Sequence, residues 1–192
     1  MNVDVGQLKP GVFGVCRGGG IGGDLIRTAT QSSAGHAVLY LGSGRVVQGT
    51  APKADVMPAD HWSDMIWAWR MWDQLAAGGW TPAQVLAAQA KVVARGTAEI
   101  GTPYDWAAYA GFAAEILDLR NEEQLAPGFK LDPWRVCSAL VADALTAGGV
   151  PLTFVPGDGP GLIRDPDTKV TMPVNLVAPG MLLGLALRLG WI

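Results

Sequence analysis

Two cysteines and two histidines are all that this 192-residue chain holds of the side chains most used for nucleophilic and metal chemistry. Two cysteines far apart, in different kinds of element, do not build a disulfide framework. They read as free thiols in a reducing or redox-neutral setting. Histidine is so scarce that metal-ligand patterns are almost absent. His61 with Asp60 and Asp64 is the exception, and it reads as a solvated turn rather than a metal site. No metal and no organic cofactor is expected. Charge is scarce too: charged residues make up 16%, and 14 Lys and Arg against 17 Asp and Glu leave a net charge of −3. Without a basic run, nucleic acid is excluded as a partner, and an anionic membrane surface finds no grip. The longest apolar stretch, Met181 to Leu187 and on to Ile192, is interrupted by Arg188 and is too short to span a bilayer. The first residues, Met1 to Gln7, carry no basic segment followed by an apolar one, so no secretory signal peptide is expected. The location expected is cytoplasmic or virion-associated.

What remains is a greasy globular chain. Apolar residues reach 49%, and eight tryptophans are many for this length. Most should fill core or near-surface positions, with part of the excess lining a groove or an interface. Length and patterning fit a single α+β domain over residues 1–192, with a core at about 10–150 and a Pro/Gly-rich extension at 151–192.

Period-two patterns predict strands at Val12 to Cys16, Ala37 to Leu41, Arg45 to Gln48 and Met65 to Trp72. Gly42-Ser43-Gly44 is the clearest hairpin signal. Asp24 to Thr30 reads as one or two helical turns. Thr81-Pro82 opens a helix with Leu86, Ala90, Val93, Thr97 and Ile100 as its buried stripe, ended by Gly101. A second helix is expected from Asp105 to about Leu119, and a third from Asp132-Pro133 to about Thr146. Residues Pro151 to Pro179 read mostly as loop, with a strand at Lys169 to Met172. Gly18, Gly20 and Gly23 satisfy a dinucleotide fingerprint in form, but the following helix is too short and the expected acidic residue is missing. A plain loop is the better reading.

Two positions carry chemistry. Cys137 is expected near the start of the third helix, where the helix dipole favours a thiolate. His36 heads a strand behind Gly35, a glycine that lets a backbone or substrate come close. If Leu41 pairs with Arg45, Gln48 faces Val38 and becomes the diagonal neighbour of His36, about 7–8 Å away and within reach of a long side chain. A bulge at Gly44 would move Gln48 to the other face. Unshifted, Gln48 can fix the imidazole tautomer that leaves one ring nitrogen for a thiol. Cys16, in the first strand, reads as core.

Taken together, Gly35-His36-Ala37-Val38-Leu39-Tyr40-Leu41 with the following hairpin to Gln48, then Gly101-Thr102-Pro103-Tyr104-Asp105-Trp106, then Val136-Cys137-Ser138-Ala139-Leu140-Val141, resemble the circularly permuted NlpC-type papain-fold enzymes. His36 precedes Cys137, which is the order of the permuted branch that includes lecithin–retinol acyltransferase-like proteins. The resemblance implies a papain-like fold, a small antiparallel sheet packed against helices. It implies Cys137 as nucleophile, His36 as general base and Gln48 as orienter. Tyr104 would line the site near the nucleophile, or else pack as a turn tyrosine on the third helix; Ser138 and Gly35 complete the expected substrate-binding residues. Cys-Ser-Ala-Leu-Val is closer to the cell-wall peptidase pattern than to the acyltransferase one. Residues 52–82, with Trp62, Trp67, Trp69 and Trp72 before Trp80, match no part of the resemblance. The expected activity is thiol-dependent cleavage of an amide or ester, foremost a peptide bond in peptidoglycan stem peptides. A lipid acyl ester or amide is the alternative substrate. A non-catalytic module of a phage or secretion assembly, docking through the apolar C-terminus, is the alternative of another class.

Overall fold

The computed structural model describes residues 4–19, 23–24, 27, 32–104, 137–156, 162–164, 171–173 and 177–192. Among these the chain is α+β, with a five-stranded antiparallel sheet and four α-helices. The strands are β1 (Phe13–Cys16), β2 (His36–Gly42), β3 (Arg45–Gln48), β4 (Asp55–Pro58) and β5 (Ile66–Trp67), in the order β4-β3-β2-β1-β5. The helices are α1 (Met71–Ala77), α2 (Pro82–Ala98), α3 (Cys137–Ala147) and α4 (Pro179–Arg188). A second sheet joins β6 (Val155–Pro156), β7 (Leu162–Arg164) and β8 (Thr171–Pro173). The helix expected from Asp105 to Leu119 and the cap at Asp132-Pro133 lie outside the described residues.

The central hairpin closes more tightly than expected. Gly42, not Leu41, pairs with Arg45, and Ser43 and Gly44 form a two-residue loop, both at positive φ. That turn matches the twist of the strands. The residue left over, Leu41, is absorbed as a bulge between Tyr40 and Gly42. Beyond the bulge the register returns to Leu39 opposite Val47. Gln48 therefore stays on the face of His36.

Met65 to Trp72 is not one strand. Only Ile66–Trp67 pairs with β1, and the chain turns into α1 at Met71. Met71, Trp72 and Leu75 are buried together, a helical spacing that the tryptophan alternation concealed. The indole of Trp72 donates to Pro10 O at 3.0 Å, fixing α1 against the start of β1.

The stripe on α2 is displaced by one position from the expected one. Ala88, Val92, Gly96 and Glu99 face inward, with Val85 half-buried, whereas Leu86 and Ile100 are exposed. Small residues are needed there because α2 lies close on β2. A Cβ added to Gly96 would run into Leu39 Cδ2 and sit 3.3 Å from Val47 Cγ1. The buried Glu99 is paired with Arg95 at 2.9 Å, and Arg95 reaches Asp143 of α3 at 2.6 Å. This network ties α2 to the helix that carries Cys137.

The apolar C-terminus is taken up by the chain's own core. Met181, Leu182, Leu185 and Ala186 of α4 are buried, and Trp191 meets Phe13 edge-on with ring centroids 6.2 Å apart. Leu187 is the large apolar side chain that α4 leaves exposed. The stretch expected as a docking segment is therefore structural. No helix among the described residues is long and apolar enough to cross a membrane.

Gly96→Ala is expected to lower stability by about 1–3 kcal/mol, because Leu39 and Val47 are fully buried and have nowhere to move. That loss outweighs the ~1 kcal/mol that alanine gains over glycine in a helix interior. Urea denaturation checks it; an unchanged or raised midpoint would contradict the close packing of α2 on β2.

Candidate active site

β2 begins at His36 because Gly35 makes the approach possible. A Cβ on Gly35 would meet Arg17 O at 2.5 Å and Gly23 O at 2.6 Å, both backbone atoms that cannot swing aside. Gly35 N donates to Cys16 O at 2.9 Å. Gly18, at φ +70, comes equally close: an added Cβ would lie 3.0 Å from the His36 Cβ. The glycine run that imitates a nucleotide fingerprint thus packs against the histidine strand through Gly18 and Gly23.

His36 Nε2 and Gln48 Oε1 are 2.7 Å apart. The amide oxygen can only accept, so Nε2 carries the proton and donates to Gln48. Nδ1 is then the ring nitrogen left for another partner. That partner is Cys137, whose side chain is hydrogen-bonded to His36. α3 brings it there by packing on α2 and β2, with Leu140, Val141, Ala144 and Leu145 buried beneath it. The backbone N–H groups of Ala37 and Ser138 favour the thiolate form. Ser138 itself is buried, and its backbone is what it contributes.

The electrostatics follow. Burial pushes the Cys137 thiol up, but the charge and hydrogen bond of His36 and the two backbone N–H groups together bring it below the ordinary thiol range. Burial pushes the His36 imidazole down; the Cys137 charge, hydrogen bonds to Cys137 and Gln48, and the charge of Asp55 together hold it above its ordinary value. Opposite shifts on contacting groups are what an imidazolium–thiolate pair produces. Cys16 provides the contrast. It sits opposite His36 in the β1–β2 ladder, and burial pushes it up to about 12.

Cys137, His36, Gln48, Gly35 and Tyr104, five of the six expected site residues, line one cavity of about 500 Å³. Tyr104 is placed there by its backbone N–H, which donates to Pro52 O at 2.9 Å. The sequence reading missed other members of the wall. Trp62 stacks at a tilt on His36, centroids 5.2 Å apart, and its other neighbour is His61 at 4.6 Å. His61 is exposed in the turn after β4, as expected, and it also belongs to the wall of this cavity. Asp64 accepts from Arg17 N at 3.0 Å and fixes the end of β1. Asp55 accepts from Gln48 Nε2 at 2.9 Å. No local pattern marks Asp55; the pairing of β4 with β3 sets it opposite Gln48. No group of three or more His, Cys, Asp or Glu suited to a metal occurs among the described residues. No family model and no curated protein matches the chain.

Removing the sulfur should expose the coupling. In Cys137→Ala, His36 keeps its burial but loses its largest favourable partner, so its titration midpoint should fall below that of the wild-type protein. Imidazole proton NMR across pH, with His61 as the second signal, reads this directly. A midpoint unmoved by the substitution would mean that the two side chains are not electrostatically coupled.

Proposed function

We propose that the chain is a cysteine hydrolase of papain-like, permuted NlpC type, cleaving amide bonds in peptides such as peptidoglycan stem peptides. The observation that supports this most is the linear order Gln48–His36–Cys137 at one cavity wall, with the Nε2–Oε1 contact at 2.7 Å and the sulfur hydrogen-bonded to the same imidazole. An oriented base beside an activated sulfur is the constellation that nucleophilic catalysis needs. In the proposed reaction the Cys137 thiolate attacks the carbonyl carbon, and the negative charge moves to the carbonyl oxygen. The Cys137 backbone N–H, at the start of the described part of α3, is the donor proposed for that oxyanion. His36, as imidazolium, gives its proton to the leaving amine as the C–N bond breaks. It then accepts a proton from water, which attacks the thioester and releases the acid.

Peptide is favoured over lipid by the wall of the cavity. Gly18, Gly19, Gly49 and Thr50 offer backbone and small surfaces, while Met57 and Trp62 are its large apolar members among the described residues. An acyl chain would call for more apolar area. The burial of α4 also removes the apolar C-terminus as support for either a lipid-facing or a docking role.

Incubation with stem-peptide fragments is expected to release a new amino terminus, detected by mass spectrometry. Cys137→Ala and His36→Ala should each lower the rate by at least about 10³-fold, since residues that act as a unit fail together. Turnover of fatty-acyl esters with no turnover of peptides would overturn the substrate assignment. Full activity in Cys137→Ala would overturn the mechanism.

A further inference from the structure

Gln48 has two ends, and the geometry uses both. An amide can turn over and exchange its oxygen for its nitrogen with little change of shape. Here something must choose. Asp55, directly opposite in β4, accepts from Gln48 Nε2 at 2.9 Å, and a carboxylate can only accept. Met57, two residues further along β4, sets its sulfur against the same nitrogen. A turned amide would place its oxygen between a carboxylate and a thioether, neither with a proton to give. It would also set its N–H group against the Nε2–H of His36. The observed orientation is the one in which every donor meets an acceptor.

We infer that Asp55 is a positioning residue that orients the Gln48 amide and thereby keeps His36 donating at Nε2, the form that a Cys137 thiolate requires. Asp55 acts through Gln48, beside the direct attraction of its charge for the imidazolium, and the assignment rests on the reading of Cys137 and His36 as a working pair. The other ionisable groups around the imidazole do not offer this service. Cys137 faces it from α3, and Cys16 faces it from β1 as a buried thiol. His61 meets the Trp62 ring edge-on, and Tyr104 lines the same cavity. Asp64 is engaged with the backbone of Arg17. Among the described residues that line the cavity, Asp55 is the carboxylate.

The test is the rate of Cys137 alkylation by iodoacetamide, site-resolved by mass spectrometry, in the wild-type protein and in Gln48→Ala, Asp55→Ala and Asp55→Asn. Asp55→Asn keeps the shape and an acceptor oxygen but loses the charge, so it remains informative if the alanine variant folds poorly. At about pH 6, Gln48→Ala and Asp55→Ala are both expected to react about tenfold more slowly than wild type, the effect of one pKa unit, with Asp55→Asn in between. At about pH 10, where a thiol ionises without help, the four rates should converge. An Asp55→Ala rate within about twofold of wild type at pH 6, beside a slowed Gln48→Ala, would overturn the role of Asp55. So would a loss that persists undiminished at high pH, which marks a structural role alone. If wild-type Cys137 itself reacts at pH 6 no faster than an ordinary thiol, the pair fails, and the assignment of Asp55 falls with it.

Discussion

The hydrogen bond from His36 to Gln48 joins two neighbouring strands, and the rest of the site depends on the register that permits it. Side chains alternate along a strand, so a slip of one residue would turn Gln48 away from the imidazole. The β2–β3 hairpin avoids the slip by closing on a two-residue turn and setting Leu41 aside in a bulge. Everything that meets His36 is then arranged around a fixed ring: Gln48 at Nε2, Cys137 at the other nitrogen, Trp62 over the face and Gly18 at the Cβ.

A charged pair in this setting is expensive to form. Each ion costs several kcal/mol to remove from water, and mutual attraction repays that only when the remaining donors and acceptors are satisfied. The site meets that condition with fixed groups. Backbone N–H groups of Ala37 and Ser138 serve the sulfur, and Gln48 serves the imidazole. Cys16, opposite His36 in the same ladder, shows burial winning over a single backbone partner at Gly18, with no cation beside it: its thiol is pushed up to about 12. The salt-bridge network of Arg95, Glu99 and Asp143 acts at longer range, holding α3 on α2 so that the sulfur stays in place.

Much of this was legible in the sequence, and the gaps have physical causes. The scarcity of histidine and cysteine singled out His36 and Cys137, and the hairpin arithmetic brought in Gln48. Helix α2 and its period are legible, but the stripe read from spacing alone is one position off. Close packing on β2 selects small residues instead, so Leu86 and Ile100 face solvent while Gly96 faces Leu39. α1 was hidden because Trp67, Trp69 and Met71 continue a period-two pattern across its start. Asp55, His61 and Trp62 reach the cavity through tertiary folding of a segment whose local pattern points to nothing in particular. Only pairing of β4 with β3 puts Asp55 beside Gln48.

The central claim is that Cys137 is a thiolate near neutral pH because His36 carries the proton. Thiolate ultraviolet absorbance, titrated in the wild-type protein, His36→Ala and Cys137→Ser, measures this without a reagent that must reach the sulfur. Cys16, held up at about 12, stays silent over the useful range. The account predicts one thiolate in the wild-type protein well below the ordinary thiol value of about 8.5, absent in Cys137→Ser and shifted upward in His36→Ala. A wild-type titration that begins only in the ordinary thiol range, or one that His36→Ala leaves unchanged, would contradict it.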